Sequence, residues 1–279
     1  MAPSLPTIEK DVEAKAERAS DSGAFDAPAL SADDAPLFDY LLRLGDDALV
    51  LGQRLSEWCG HAPALEVDLS LANLSLDLIG QATNFLVLAG GSDEGADRLA
   101  FRRDVLDFRN CWLVEQPNGD FARTIARHLL WSTYAQLLYR DLAGSAHEGI
   151  AAVAAKAVKE IAYHRELAAE WTIRLGDGTE ESARRMAEGL DWCWRFVPEL
   201  FEVDETLGAL IGRGIAADPR ALRDDYDASI AAVLAEARLA APADQRPILG
   251  GRRGHHSEHL GHLLAVMQYL PRSYPDARW

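Results

Sequence analysis

Residues 67–89 read Val-Asp-Leu-Ser-Leu-Ala-Asn-Leu-Ser-Leu-Asp-Leu-Ile-Gly-Gln-Ala-Thr-Asn-Phe-Leu-Val-Leu-Ala, and their reading decides the fold. Leu69, Leu71, Leu74, Leu76, Leu78, Ile79, Phe85, Leu86 and Leu88 cover most faces of a helix. A helix apolar nearly all round is a buried one, so the pattern predicts a central helix of a large helical core. Gly90-Gly91 stops it. Ser70, Asn73, Asp77, Gln81 and Asn84 recur at steps of three and four. That stripe predicts a hydrogen-bonded polar network inside the bundle, because unpaired buried polar groups cost free energy.

The flanking sequence is helical in both directions. Leu41, Leu44, Ala48, Leu51, Leu55 and Trp58 make Leu37–Cys59 an amphipathic helix, ended by Gly60 and Pro63. A charged helix is expected near Ala96–Phe108, and Gln116-Pro-Asn-Gly-Asp120 is a turn. Phe121–Leu142 and Gly149–Leu175 are the next long helices. Shorter ones are expected over Glu180–Phe196, Val203–Ala216, Pro219–Leu239 and His255–Leu270. No alternating strand pattern is present. The class is therefore all-α, a four-helix bundle with additional C-terminal helices.

Residues 1–35 differ in composition. They hold eight acidic and three basic residues and few large apolar ones. They read as an acidic, mobile extension, with a short helical piece over Ile8–Ser20. Residues 36–279 then form one helical domain.

The chain of 279 residues is 48% apolar and 26% charged, with 21 Gly and 12 Pro, which excludes a disordered or collagen-like protein. With 28 Lys and Arg against 44 Asp and Glu, the net charge is −16. That opposes binding to nucleic acid or to anionic lipid. Cys59, Cys111 and Cys193 form no CxxC pair, so small buried hydrophobes in a reducing cytoplasm are expected. The N-terminus lacks the basic and apolar regions of a signal peptide. The longest apolar runs are interrupted well before the ~20 residues of a membrane span.

A long four-helix bundle raises the question of a carboxylate-bridged di-metal centre. That centre needs a Glu on each of two helices and Glu-x-x-His on each of the other two. The first helix offers Asp46 and Asp47. The second offers Asp77-Leu-Ile-Gly80, with glycine where the His belongs. The third has no Glu; its interior polar groups are His128 and Ser132. The fourth offers Ile161-Ala-Tyr-His164, with Glu160 one position off. Two metal ions need bridging carboxylates, and this set does not supply them. Asp47, Asp77, Glu160 and His164 are expected to be vestigial, with no catalytic, cofactor or metal residue in this chain. His164 is expected as a core histidine held by a neighbouring acid.

His255, His256, His259 and His262 crowd one predicted helix start beside Glu258. Imidazole suits transition metals, but neither H-E-x-x-H nor Glu-x-x-His is present. A surface or partner contact is the expected role. The preceding Gly250-Gly-Arg-Arg-Gly254 is a basic, flexible loop able to meet an anion.

Several segments together resemble the ferritin-like, non-catalytic C subunits of bacterial ring 1,2-phenylacetyl-CoA epoxidases. They are Leu51-Gly-Gln-Arg-Leu-Ser-Glu-Trp-Cys-Gly-His-Ala-Pro63, Val114-Glu-Gln-Pro-Asn-Gly-Asp-Phe121, Trp194-Arg-Phe196, Glu199-Leu-Phe201 and Ser257-Glu-His-Leu-Gly261. The resemblance covers about Leu37 to Trp279. It implies a structural subunit without a cofactor, paired with a homologous catalytic A subunit that carries di-iron. It further implies a small B subunit and a flavin and iron–sulfur reductase fed by NADPH, acting on phenylacetyl-CoA in phenylacetate breakdown. The acidic extension lies outside the family pattern. Trp131, Tyr134 and Leu138 could form the partner face or belong to the core. Two other readings stay open: an active di-metal oxidoreductase using Asp47, Asp77, Glu160 and His164, and a free-standing ferritin-like metal-binding protein.

Overall fold

The computed structural model describes residues 34–275 and 277; the extension, with its expected helical piece, lies outside them. The described residues contain eleven α-helices and no strand. They are α1 (Ala35–Ser56), α2 (Leu65–Gly90), α3 (Asp93–Phe101), α4 (Trp112–Glu115), α5 (Phe121–Leu142) and α6 (Glu148–Gly176). After these come α7 (Glu180–Trp194), α8 (Glu205–Gly212), α9 (Arg223–Glu236), α10 (Glu258–Met267) and α11 (Tyr269–Ser273).

α1 and α2 form one antiparallel hairpin, and α5 and α6 the other. Phe121, which opens α5, packs edge-on against Trp58, just past the end of α1, with ring centroids 5.8 Å apart. Residues 91–120 therefore run the whole length of the bundle between the hairpins. One long crossover of this kind is the ferritin-like topology. Asp120 starts α5 by accepting the backbone N–H of Arg123 at 2.9 Å. Thr179 and Ser182 cap α7 reciprocally.

The four long helices fall where the periodicity places them. The charged helix ends earlier than expected, at Phe101, because residues 102–111 peel off to cross the bundle. The His255–Leu270 segment starts at Glu258, leaving His255 and His256 in the preceding loop.

The structure reverses the expected roles of the first two helices. α1 is buried on every side from Tyr40 to Gly52, Asp46, Asp47 and Arg43 included. It is enclosed by α2, by the crossover, by α8 and by the 250–260 segment. α2, the more apolar helix, keeps Leu65, Leu69 and Leu76 exposed. It is also long and apolar enough to span a membrane by length and composition, although 56% of its most apolar window is buried in the bundle. Trp131, Tyr134 and Leu138 of α5 are core residues; Tyr134 packs on Phe201 with centroids 5.5 Å apart.

Candidate functional site

The facing surfaces of α2, α5 and α6 bring together three of the four residues singled out in the sequence. His164 Nε2 lies 3.3 Å from Asp77 Oδ2, and the imidazole is fully buried. One turn further along the antiparallel pair, Gln81 Nε2 donates to Glu160 Oε2 at 2.9 Å. A cleft of about 100 Å³ opens beside these pairs, lined by Asp77, Gly80, Gln81, Asn84, Lys156 and Glu160. From α5, the His128 ring stands 5.2 Å from the His164 ring. Among the described residues neither nitrogen of His128 has a hydrogen-bond partner, nor has Nδ1 of His164 or Oε1 of Gln81. Burial first, and then the His164 ring and Arg127, hold the His128 pKa well below the usual imidazole value. His128 is thus a neutral imidazole in an apolar wall.

The polar stripe of α2 behaves differently from the expected internal network. Of its five residues only Gln81 is buried; Asn73 is exposed, and Ser70 turns back to the Glu66 carbonyl at 2.7 Å. The stripe follows the α2–α6 groove and not the bundle axis.

Asp47 does not join this group. Its carboxylate forms a two-pronged pair with Arg252, with contacts of 2.9 and 2.7 Å, and accepts the Cys111 N–H at 2.8 Å. Asp46 is paired with Arg103 and accepts the Arg109 N–H at 2.8 Å. Burial pushes the Asp46 carboxyl above the ordinary carboxylate range, and the Arg103 pair opposes that push.

Two further buried carboxylates do the same work. Glu115 accepts from Asn110 at 2.9 Å and from the Ser257 N–H at 2.7 Å, and faces His256 Nδ1 at 2.7 Å. Glu199 accepts the N–H groups of Trp112, Gly250 and Gly251 at 2.6, 2.8 and 2.6 Å. The Gly250–Gly254 loop therefore does meet anions, but they are this chain's own Glu199 and Asp47. It is not free: its backbone N–H groups and Arg252 are taken up by those carboxylates. A Cβ on Gly251 would stand 2.3 Å from the Asn110 carbonyl, so only glycine lets the loop lie flat on the crossover. His256 is sealed inside with both ring nitrogens engaged, the second 3.0 Å from the Phe108 carbonyl. The four histidines accordingly make no common ligand set.

These networks escape a reading of the sequence because each joins residues far apart in the chain. The available signal was weak: lone acids in apolar surroundings, Val114-Glu115 and Pro198-Glu199-Leu200, and a glycine-rich loop carrying two arginines.

A di-iron group does not fit the residues present. Asp46 and Asp47 of α1 are held by arginines, α5 offers a carboxylate nowhere in the core, and Glu160 is held by an amide. Among the described residues no three His, Cys, Asp or Glu side chains converge closely enough to bind a metal ion.

Fold and site together define a ferritin-like bundle whose core is closed by hydrogen bonds and ion pairs. The chain belongs to the family described as phenylacetic acid catabolic protein, whose model matches residues 26–279. It is similar to the C component of the 1,2-phenylacetyl-CoA epoxidase of Escherichia coli (strain K12), with 50% identity over 244 residues. That match covers 86% of this chain and 98% of the relative.

Proposed function

We propose that this chain is the structural subunit of a multicomponent phenylacetyl-CoA epoxidase in aerobic phenylacetate degradation, where it pairs with a homologous di-iron catalytic subunit and stabilises it. The likeness to an epoxidase component supplies the system. The observation that carries the structural role is the fate of the two adjacent acids in the middle of α1: Asp46 and Asp47 are each held by a largely buried arginine. A metal competing for either would have to leave that arginine buried and unpaired, which is costly. The other polar residues, Asp77 and Glu160 in the α2–α6 groove and His128 and His164 in the core, act in packing and not in oxygen chemistry. A small B subunit and a reductase complete the proposed assembly, and the partner supplies the cofactor.

Two measurements test this reading. Asp77→Asn keeps a hydrogen-bond acceptor beside His164 and removes the charge. The assembled complex carrying it should keep its turnover within about twofold, whereas a loss near 10²-fold in an intact assembly would assign chemistry to this chain. The untagged chain purified alone from iron-replete cells should contain far less than one iron or manganese per chain. About two metals per chain would favour the di-metal oxidoreductase instead.

A further inference from the structure

Leu65, Leu69, Ala72, Leu76, Ile79 and Thr83 follow one another along α2 at steps of 4, 3, 4, 3 and 4 residues. That is the spacing of a coiled-coil seam, which holds apolar residues in line for a partner helix. The leucines of this seam face solvent: Leu65 is 72% exposed, Leu69 58% and Leu76 65%. α1 covers one flank of α2, through Gly52 against Ser75, Leu78 and Ile79. α6 covers the other through Asp77 and Gln81. Ala72 and Ile79 of the seam are half-buried, Ile79 against α1, but among the described residues nothing covers Leu65, Leu69 or Leu76. Gly80 borders the seam, and a Cβ built there meets no atom within 4 Å. A partner helix can therefore approach closely at that point.

From this geometry we infer that the outer seam of α2 is the docking surface for a helix of the catalytic subunit, one with an apolar seam of the same spacing flanked by Lys or Arg. The inference rests on the functional reading above and adds the surface and its chemistry. Charge selects this occupant over a second copy. α2 carries Glu66, Asp68 and Asp77 and no Lys or Arg, on a chain of net charge −16. Two such chains repel at long range, whereas a basic-flanked seam gains from the same field. A contiguous row of exposed leucines on a helix otherwise set in a core is the kind of patch that marks an interface.

The test uses the full chain co-expressed with the catalytic subunit. Leu69→Glu with Leu76→Glu should fold normally, since both side chains are exposed, yet weaken the pairing by about 10²-fold or more, because two charges would have to be desolvated. Gly80→Gln is the second variant. Relief of a glycine within a helix should raise the melting temperature of the free chain by about 2 °C, while the added side chain obstructs the partner and lowers its affinity. Pairing that survives both variants overturns the assignment of the surface while leaving the structural role intact. Failure of the unaltered chain to pair at all overturns the functional reading. A homodimer abolished by the same substitutions, or binding to vesicles of one-third phosphatidylglycerol that they abolish, overturns the choice of occupant.

Discussion

His128 shows what one residue contributes to the interior. Among the described residues neither of its buried ring nitrogens has a protein partner, so the imidazole carries its desolvation cost without a compensating protein hydrogen bond. His128→Phe, similar in volume, should leave stability at pH 7 unchanged or raise it by about 1 kcal/mol. The pH dependence has a definite sign. The folded protein holds this imidazole neutral well below its ordinary value, while the unfolded chain takes up a proton near pH 6.5. Below that pH the unfolded state binds more protons, so His128 makes stability fall as pH falls, by at most about 1.4 kcal/mol per pH unit. Urea midpoints between pH 7 and pH 5 should therefore show a shallower decline in His128→Phe than in the parent. An unchanged slope would contradict the buried neutral state. The sequence allowed His128 and His164 to be placed in the core from helical spacing alone. Their juxtaposition, with tilted rings 5.2 Å apart, was not legible, because it depends on how α5 and α6 pack.

At the scale of elements, the crossover and the 250–257 loop are fixed to α1 by buried charge and not by apolar contact alone. Asp47 with Arg252, Glu199 with three backbone N–H groups and Glu115 with Ser257 form a continuous seal between them. Removing one partner of a buried ion pair strands the other. Arg252→Met should therefore destabilise the protein by about 3–5 kcal/mol. Replacing both partners, Asp47→Leu with Arg252→Met, should recover most of that loss, and a double-mutant cycle read by thermal unfolding measures the recovery. A double variant as unstable as the single one would mean that the Cys111 contact matters more than the ion pair. Helix limits were largely legible in the sequence: Phe121–Leu142 is as the periodicity predicts, and α1, α2 and α6 differ by one to three residues at their ends. The α3 region was misread because the charged run continues past the point where the chain leaves the helix.

For the whole molecule, the decisive feature is which apolar helix is covered. α1 sits in the interior, and the more apolar α2 stands at its edge with leucines in solvent. The chain expressed with a catalytic subunit should accordingly elute as a larger complex with an interface above roughly 2,000 Å², as permanent assemblies have. A persistent monomer in that experiment would remove the structural role. If complex formation is steered by the net charge of −16, its association rate should fall several-fold between about 50 and 300 mM salt, measured by stopped-flow.

By itself the sequence determined the all-helical class, the positions of the long helices and the lack of an intact Glu-x-x-His. All of these depend on residues within a few turns of one another, where periodicity and spacing act directly. The tertiary structure alone decided that Asp46 and Asp47 are held by Arg103 and Arg252, that the glycine-rich loop is a buried clamp, and that α2 shows an apolar seam to solvent. Those outcomes depend on which distant segment lies over which face, and hydrophobic periodicity records that a face is apolar without recording what covers it.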